Sequence, residues 1–121
     1  MDVLLLFGES DTWCTPAVAK RMHITLASRS GTTSSPAVAA AQRYVSLLNA
    51  GHCPNHEAPT AVARVMLPWI NSQDRSNVQL VSDSNALIEE TWSTDISAHE
   101  VTIEESNNMG IMDRIVSTLA S

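Results

Sequence analysis

The sequence predicts an α/β fold: two parallel strand–helix units in the order βαβα, followed by an irregular acidic tail. Three observations predict it. Val3–Phe7 is an unbroken apolar run closed by Gly8, the pattern of a strand buried on both faces. Val62, Val65, Met66, Trp69 and Ile70 fall at i, i+3, i+4, i+7 and i+8, the apolar face of a helix. The charge is uneven: residues 1–70 hold four acids against five basic residues (+1), and residues 71–121 hold nine acids against Arg75 and Arg114 (−7). Such an asymmetry separates a near-neutral body, residues 1–70, from a tail, residues 71–121.

The elements follow in order. After Gly8, ESDTWCT is a polar loop with one tryptophan. Thr15 suits a helix N-cap and Pro16 the first helical position. Val18, Met22 and Leu26 recur at spacing four and predict one apolar stripe on a helix that stops near Ser28. SRSGTTSSP (28–36) reads as a surface loop. Residues 37–42 suit a short helical turn, and RYVSLL (43–48) a second strand. NAGHCPNHEAP is a dense loop signal, and Pro59 opens the second helix, which Pro68 should kink or end. Beyond Asn71 the apolar residues are scattered. The expectation there is a largely disordered tail with a possible short helix over 110–120.

The bulk composition excludes several classes. A chain of 121 residues suits one modest domain. Its apolar runs are far below the roughly 18 residues a membrane span needs. LLLF lacks the basic flank and length of a signal h-region, so the expectation is a soluble chain. A net charge of −6 argues against nucleic acid as a partner. Two cysteines, Cys14 and Cys53, are too few for a disulfide framework.

Six residues invite chemistry. Gly8-Glu9-Ser10-Asp11-Thr12 carries the first half of G-x-S-x-G, but without the second glycine and with the helix starting too late for a nucleophile elbow. A turn serine is the plainer reading of Ser10. Asp11 stands just past the end of the first strand, and His52 just past the end of the second. Open α/β sheets place working groups at that edge. A carboxylate there would fix the imidazole tautomer and stabilise the imidazolium. The plainer readings are a turn-capping aspartate and a solvated loop histidine. A zinc site is the competing constellation, with Cys14, His52, Cys53 and His56 as candidate ligands, although adjacent His and Cys rarely both reach one tetrahedral ion. The balance is no metal and no cofactor.

VLLLFGESDTWCTP resembles the seventh strand and acid loop of the α/β-hydrolase superfamily: an apolar run, G-x-x-D, a polar loop and a proline. NAGHCPNHEAP resembles the catalytic-histidine loop of its epoxide-hydrolase/haloalkane-dehalogenase-like branch and the pheophytinase-like relatives, where GHCP precedes a short acidic, proline-containing helix start. The likeness covers about residues 2–70, and Asn55 and His56 depart from it. It implies that the fold is the last two strand–helix units of a hydrolase sheet, with Asp11 as the acid of a triad and His52 as its general base. Trp13 and Cys53 would line the pocket mouth, or simply pack in their loops. The implied reaction is cofactor-free hydrolysis of a small ester-like substrate through a covalent intermediate. The nucleophile, Ser or Asp in the family, and the oxyanion loop have no counterpart. The expectation is therefore a C-terminal fragment, inactive alone. The resemblance leans weakly toward a plastid setting.

The alternative expectation is a small interaction module. Two strands with two helices would leave an open sheet edge and a bare sheet face, prone to self-association, with the acidic tail as a docking segment.

Overall fold

A computed structural model describes residues 1–30, 40–82, 87–90 and 95–108. Strand β1 (Val3–Gly8) leads into helix α1 (Pro16–Ser30) and returns as β2 (Gln42–Leu48). A short turn α2 (Pro54–Glu57) precedes α3 (Pro59–Asn71), then β3 (Leu87–Glu90), β4 (Asp95–Val101) and α4 (Ile103–Asn107). The four strands form one sheet in the order β1-β2-β4-β3. β1 and β2 run parallel, from Val3 opposite Gln42 to Gly8 opposite Leu47. β4 lies antiparallel against the other edge of β2, and β3 antiparallel against β4 with a bulge between Leu87 and Glu89. The fold is α/β with a mixed sheet.

The alternation of side chains across a strand divides the core in two. Val45, Leu47, Ile96 and Ala98 meet Ala61, Val65 and Trp69 of α3 on one face. Leu5, Tyr44 and Val101 meet Ala19 of α1 on the other. Both faces are thus covered, and the bare face expected of two strands and two helices does not occur.

The tail expectation is corrected. Residues 87–90, 95–101 and 103–107 are regular elements, and Ile96 and Ala98 are buried in the same core as Val45 and Leu47. Among the acids that suggested a solvated tail, Glu89, Glu100 and Glu105 have partners. Glu100 receives a two-pronged contact from Arg43, whose Nε lies 2.7 Å and Nη2 2.5 Å from its carboxylate. Arg43 also donates to the carbonyls of Arg75 and Val78, so one guanidinium ties β2 to β4 and to the loop after α3. Glu89 accepts from the backbone N–H groups of Thr60 and Ala61 at 3.1 Å each, capping α3 where Ala58 has no side chain to do so. Thr102 and Glu105 cap α4: Thr102 Oγ1 accepts from Glu105 N at 3.1 Å.

Two smaller expectations also change. The α1 stripe Val18–Met22–Leu26 does not face the sheet squarely: Met22 is 41% exposed, whereas Ala19 and His23 are buried. Alanine lets α1 approach closely. His23 is accommodated by Ser106 Oγ, 2.9 Å from its Nδ1, and by edge-on contact with the Tyr44 ring at 5.7 Å. Gln42, expected in a helical turn, opens β2. Pro68 stands in the last turn of α3, which ends at Asn71. Residues 31–39, which hold the rest of the 28–36 loop and the first half of the 37–42 turn, and the possible helix over 110–120 lie outside the described residues.

Candidate functional site

The site is built where the two parallel strands end. Gly8 closes β1, and its backbone lies against the chain that leaves β2. A β-carbon there would stand 2.2 Å from the Gly51 carbonyl oxygen and 2.4 Å from that of Ala50. Only glycine permits that approach. Glu9 N then donates to Leu47 O and Ser10 N to Ala50 O, both at 2.9 Å, stitching the two loops together. Asn49 turns the chain out of β2 with φ 69°, a left-handed conformation that asparagine tolerates, and its Nδ2 donates to Asp95 O.

This crossing delivers Asp11 to His52. Asp11 Oδ2 lies 3.0 Å from His52 Nδ1. Its other oxygen, Oδ1, accepts from the N–H groups of Trp13 (2.7 Å) and Cys14 (3.0 Å). The Asp11 side chain is 3% exposed and that of His52 is 60% exposed. Burial is the largest single influence on the Asp11 carboxyl and pushes its pKa up. The Cys14 N–H, the His52 ring and the Trp13 N–H together outweigh it, so the carboxyl sits below its ordinary value. A buried, ionised, fully bonded carboxylate therefore orients an exposed imidazole. With Nδ1 committed to Asp11, Nε2 is the nitrogen available to a reacting group.

Glu57 holds the histidine loop, a role the sequence reading did not assign. Its Oε2 accepts from Gly51 N at 3.1 Å and from Cys53 N at 3.2 Å, the two neighbours of His52. The signal for it is the glutamate of EAP, five positions beyond the histidine and at the end of α2. Trp13 is 83% exposed, with its ring 6.0 Å from that of His52. Cys53 is exposed and Cys14 half-buried, both as free thiols; burial raises the Cys14 thiol above its ordinary value. Ser10 is exposed on the same loop, but no hydrogen bond joins it to His52 among the described residues.

The four zinc candidates are not assembled. Among the described residues no group of three or more His, Cys, Asp or Glu side chains is placed to hold a metal ion. No described helix is long and apolar enough to cross a membrane. No family model, no curated protein and no solved structure matches this chain.

Proposed function

We propose that Asp11 and His52 are the acid and base of a hydrolytic triad, in the manner of an α/β-hydrolase, and that the chemistry is cofactor-free cleavage of a small ester. The observation that carries this reading is the 3.0 Å contact between the Asp11 carboxylate and His52 Nδ1 at the carboxyl ends of two adjacent parallel strands. The hydroxyl or carboxyl nucleophile and the oxyanion donors come from a segment other than the described residues. With a hydroxyl nucleophile, His52 Nε2 takes its proton as the oxygen attacks the ester carbon, and returns that proton to the departing alcohol. A water then loses a proton to Nε2 as it adds to the acyl carbon, and Nε2 returns that proton to the nucleophile's oxygen as the acid departs. Asp11 keeps the ring oriented and offsets the imidazolium charge in both halves.

Among the described residues no hydroxyl is hydrogen-bonded to His52, so turnover by the chain on its own should be negligible. Two measurements test the reading. Nitrogen-15 spectra of the neutral His52 ring should show the proton on Nδ1, and Asp11→Asn should abolish that preference. A ring protonated on Nε2 in the native chain removes the base and the proposal with it. Assayed on p-nitrophenyl esters, the purified chain should show no turnover that His52→Ala abolishes. Such turnover would identify Ser10 as a nucleophile and end the assignment of the nucleophile elsewhere.

A second reading has one observation in its favour. Among the described residues no strand pairs with the outer edge of β1, whose sequence VLLLFG has no charge and no proline to deter pairing. An added strand there would make the chain an interaction module. Light scattering behind size-exclusion chromatography distinguishes a monomer from a self-paired dimer.

A further inference from the structure

The outer edge of β1 is a row of backbone donors and acceptors, and the alternation of the strand fixes which groups they are. Val3 N donates to Ala41 O and Glu9 N to Leu47 O, so the odd-numbered residues of β1 turn their backbone groups toward β2. The N–H and C=O groups of Leu4 and Leu6 and the N–H of Gly8 therefore point outward. Among the described residues no strand meets them. The side chains are those of an interior strand: VLLLFG is apolar toward both faces, yet Val3, Leu4, Leu6 and Phe7 are only half-buried. Edge strands that stay single are blunted by a charge, a proline or a bulge. β1 carries neither charge nor proline and runs in unbroken register. Asp2, the acid just before it, is turned back onto its own fold. Its Oδ1 accepts from Ala41 N at 2.8 Å, and its Oδ2 lies 3.6 Å from Arg75 Nη1.

This edge is complementary to itself. A two-fold axis relates two copies of one edge as antiparallel strands. The register is then constrained twice. Even-numbered residues must face even-numbered residues, because theirs are the outward groups, and apolar side chains must face apolar ones. An axis at Leu5 meets both conditions. Leu4 faces Leu6 of the partner, and each such pair exchanges both of its backbone hydrogen bonds. Phe7 faces Val3 of the partner on the α1 face, an aromatic and β-branched pair of the kind that stabilises antiparallel strands. An axis at Leu6 would set Val3 against Glu9, and an axis at Leu4 would set Leu6 against Asp2. With no charge between Val3 and Gly8, the centred register brings no like charges together along the seam.

We propose that two copies of the chain join β1 to β1 about a two-fold axis at Leu5, making one continuous sheet from two four-stranded halves. This rests on the interaction reading of the β1 edge and names its partner; it is independent of the triad. The antiparallel seam sets the two Asp11–His52 pairs at opposite ends of the shared sheet, so neither copy completes the other's site. Light scattering of the full chain should give twice the 13.1 kDa chain mass. At a loading of about 100 μM this requires a dissociation constant of about 10 μM or below. In a mixture of carbon-13-labelled and unlabelled chain, isotope-filtered spectra should join the Leu5 α-proton to that of Leu5 of the partner, across a Cα separation of about 4.5 Å. Val3 should likewise contact Phe7 of the partner. Leu4→Pro removes an outward N–H that β2 does not use, so it should return the mass to that of one chain with the amide dispersion intact. If that variant unfolds, the filtered spectra of the native chain decide alone. The proposal is overturned by a monomer at about 100 μM, by a dimer that persists in a folded Leu4→Pro chain, or by interchain contacts that leave out Leu5. In such a monomer, faster hydrogen exchange at Leu4 and Leu6 than at Leu5 and Phe7 would leave the edge to a strand of a different polypeptide. Equal protection at all of them would end the interaction reading as well.

Discussion

Gly8 and Gly51 touch backbone to backbone where β1 and β2 run out, and this contact brings the Asp11 and His52 loops within reach of each other. Replacing Gly8 by alanine puts a methyl group 2.2 Å from a carbonyl oxygen held by the sheet, with no flexible side chain to yield. We expect Gly8→Ala to cost about 1–3 kcal/mol, read as a lower urea midpoint at unchanged slope. It should also separate His52 from Asp11, so the Nδ1 proton preference is lost even in molecules that fold.

Glu57 should matter more to the site than to stability. It is exposed and accepts two backbone N–H groups, so Glu57→Ala should cost about 1 kcal/mol or less. Hydrogen exchange at Gly51 and Cys53 should rise well above its rise elsewhere. Glu57→Gln, which keeps an acceptor oxygen, should restore most of that protection. Unchanged exchange at both amides in Glu57→Ala would show that the loop is held by other means.

His23 gives the fold an acid-sensitive core. Burial, its largest influence, lowers its pKa from the ordinary 6.5 despite a backbone contact with Gln42 and the nearby Glu100. Below that value the unfolded chain takes up a proton that the folded chain refuses. Stability therefore falls on acidification through this window, by at most about 1.4 kcal/mol per pH unit. His23→Gln should flatten the stability profile just below pH 6.5, measured by urea unfolding at each pH. The depressed carboxyls of Asp11 and Glu105 act lower down. Their contribution is present above the ordinary carboxylate values of 3.8 and 4.5 and is lost as pH falls through the folded-state values. Asp11→Asn should remove part of that second limb while leaving the first.

Glu89 offers a test of the folded tail. It places a carboxylate on the first-turn amides of α3 from 28 and 29 positions away in sequence. Glu89→Ala should cost about 1 kcal/mol, and the loss should shrink in high salt as the helix-dipole part is screened. No change in stability would mean that β3 does not dock on α3.

The βαβα order and the Asp11–His52 pairing were legible because their signals are local: a continuous apolar run, a glycine stop, a proline at a helix start and two polar loops. β4 was not. Of its seven residues only Ile96, Ala98 and Val101 are buried, and the intervening Ser97, His99 and Glu100 read as a polar segment. What fixes it is remote: Arg43 for Glu100 and the register against Tyr44–Leu48. The α1 stripe misled for a related reason. Periodicity found Val18, Met22 and Leu26, but the face that docks is chosen by Ala19, whose small side chain admits Leu5 and Tyr44, and by His23, whose partners Ser106 and Tyr44 are distant in sequence. The Glu57 clamp needed α2 to fold back over its own loop, which spacing suggests only after the turn is seen.

The antiparallel seating of β4 beside β2 has a consequence for biosynthesis. A nascent polypeptide released only as far as residue 71 presents Arg43 without Glu100 and leaves one flank of β2 bare. Vectorial emergence from the ribosome therefore yields no finished hydrophobic interior until Val101 has cleared the tunnel. The Asp11–His52 edge, encoded wholly upstream, is joined to that later segment where Asn49 Nδ2 donates to Asp95 O.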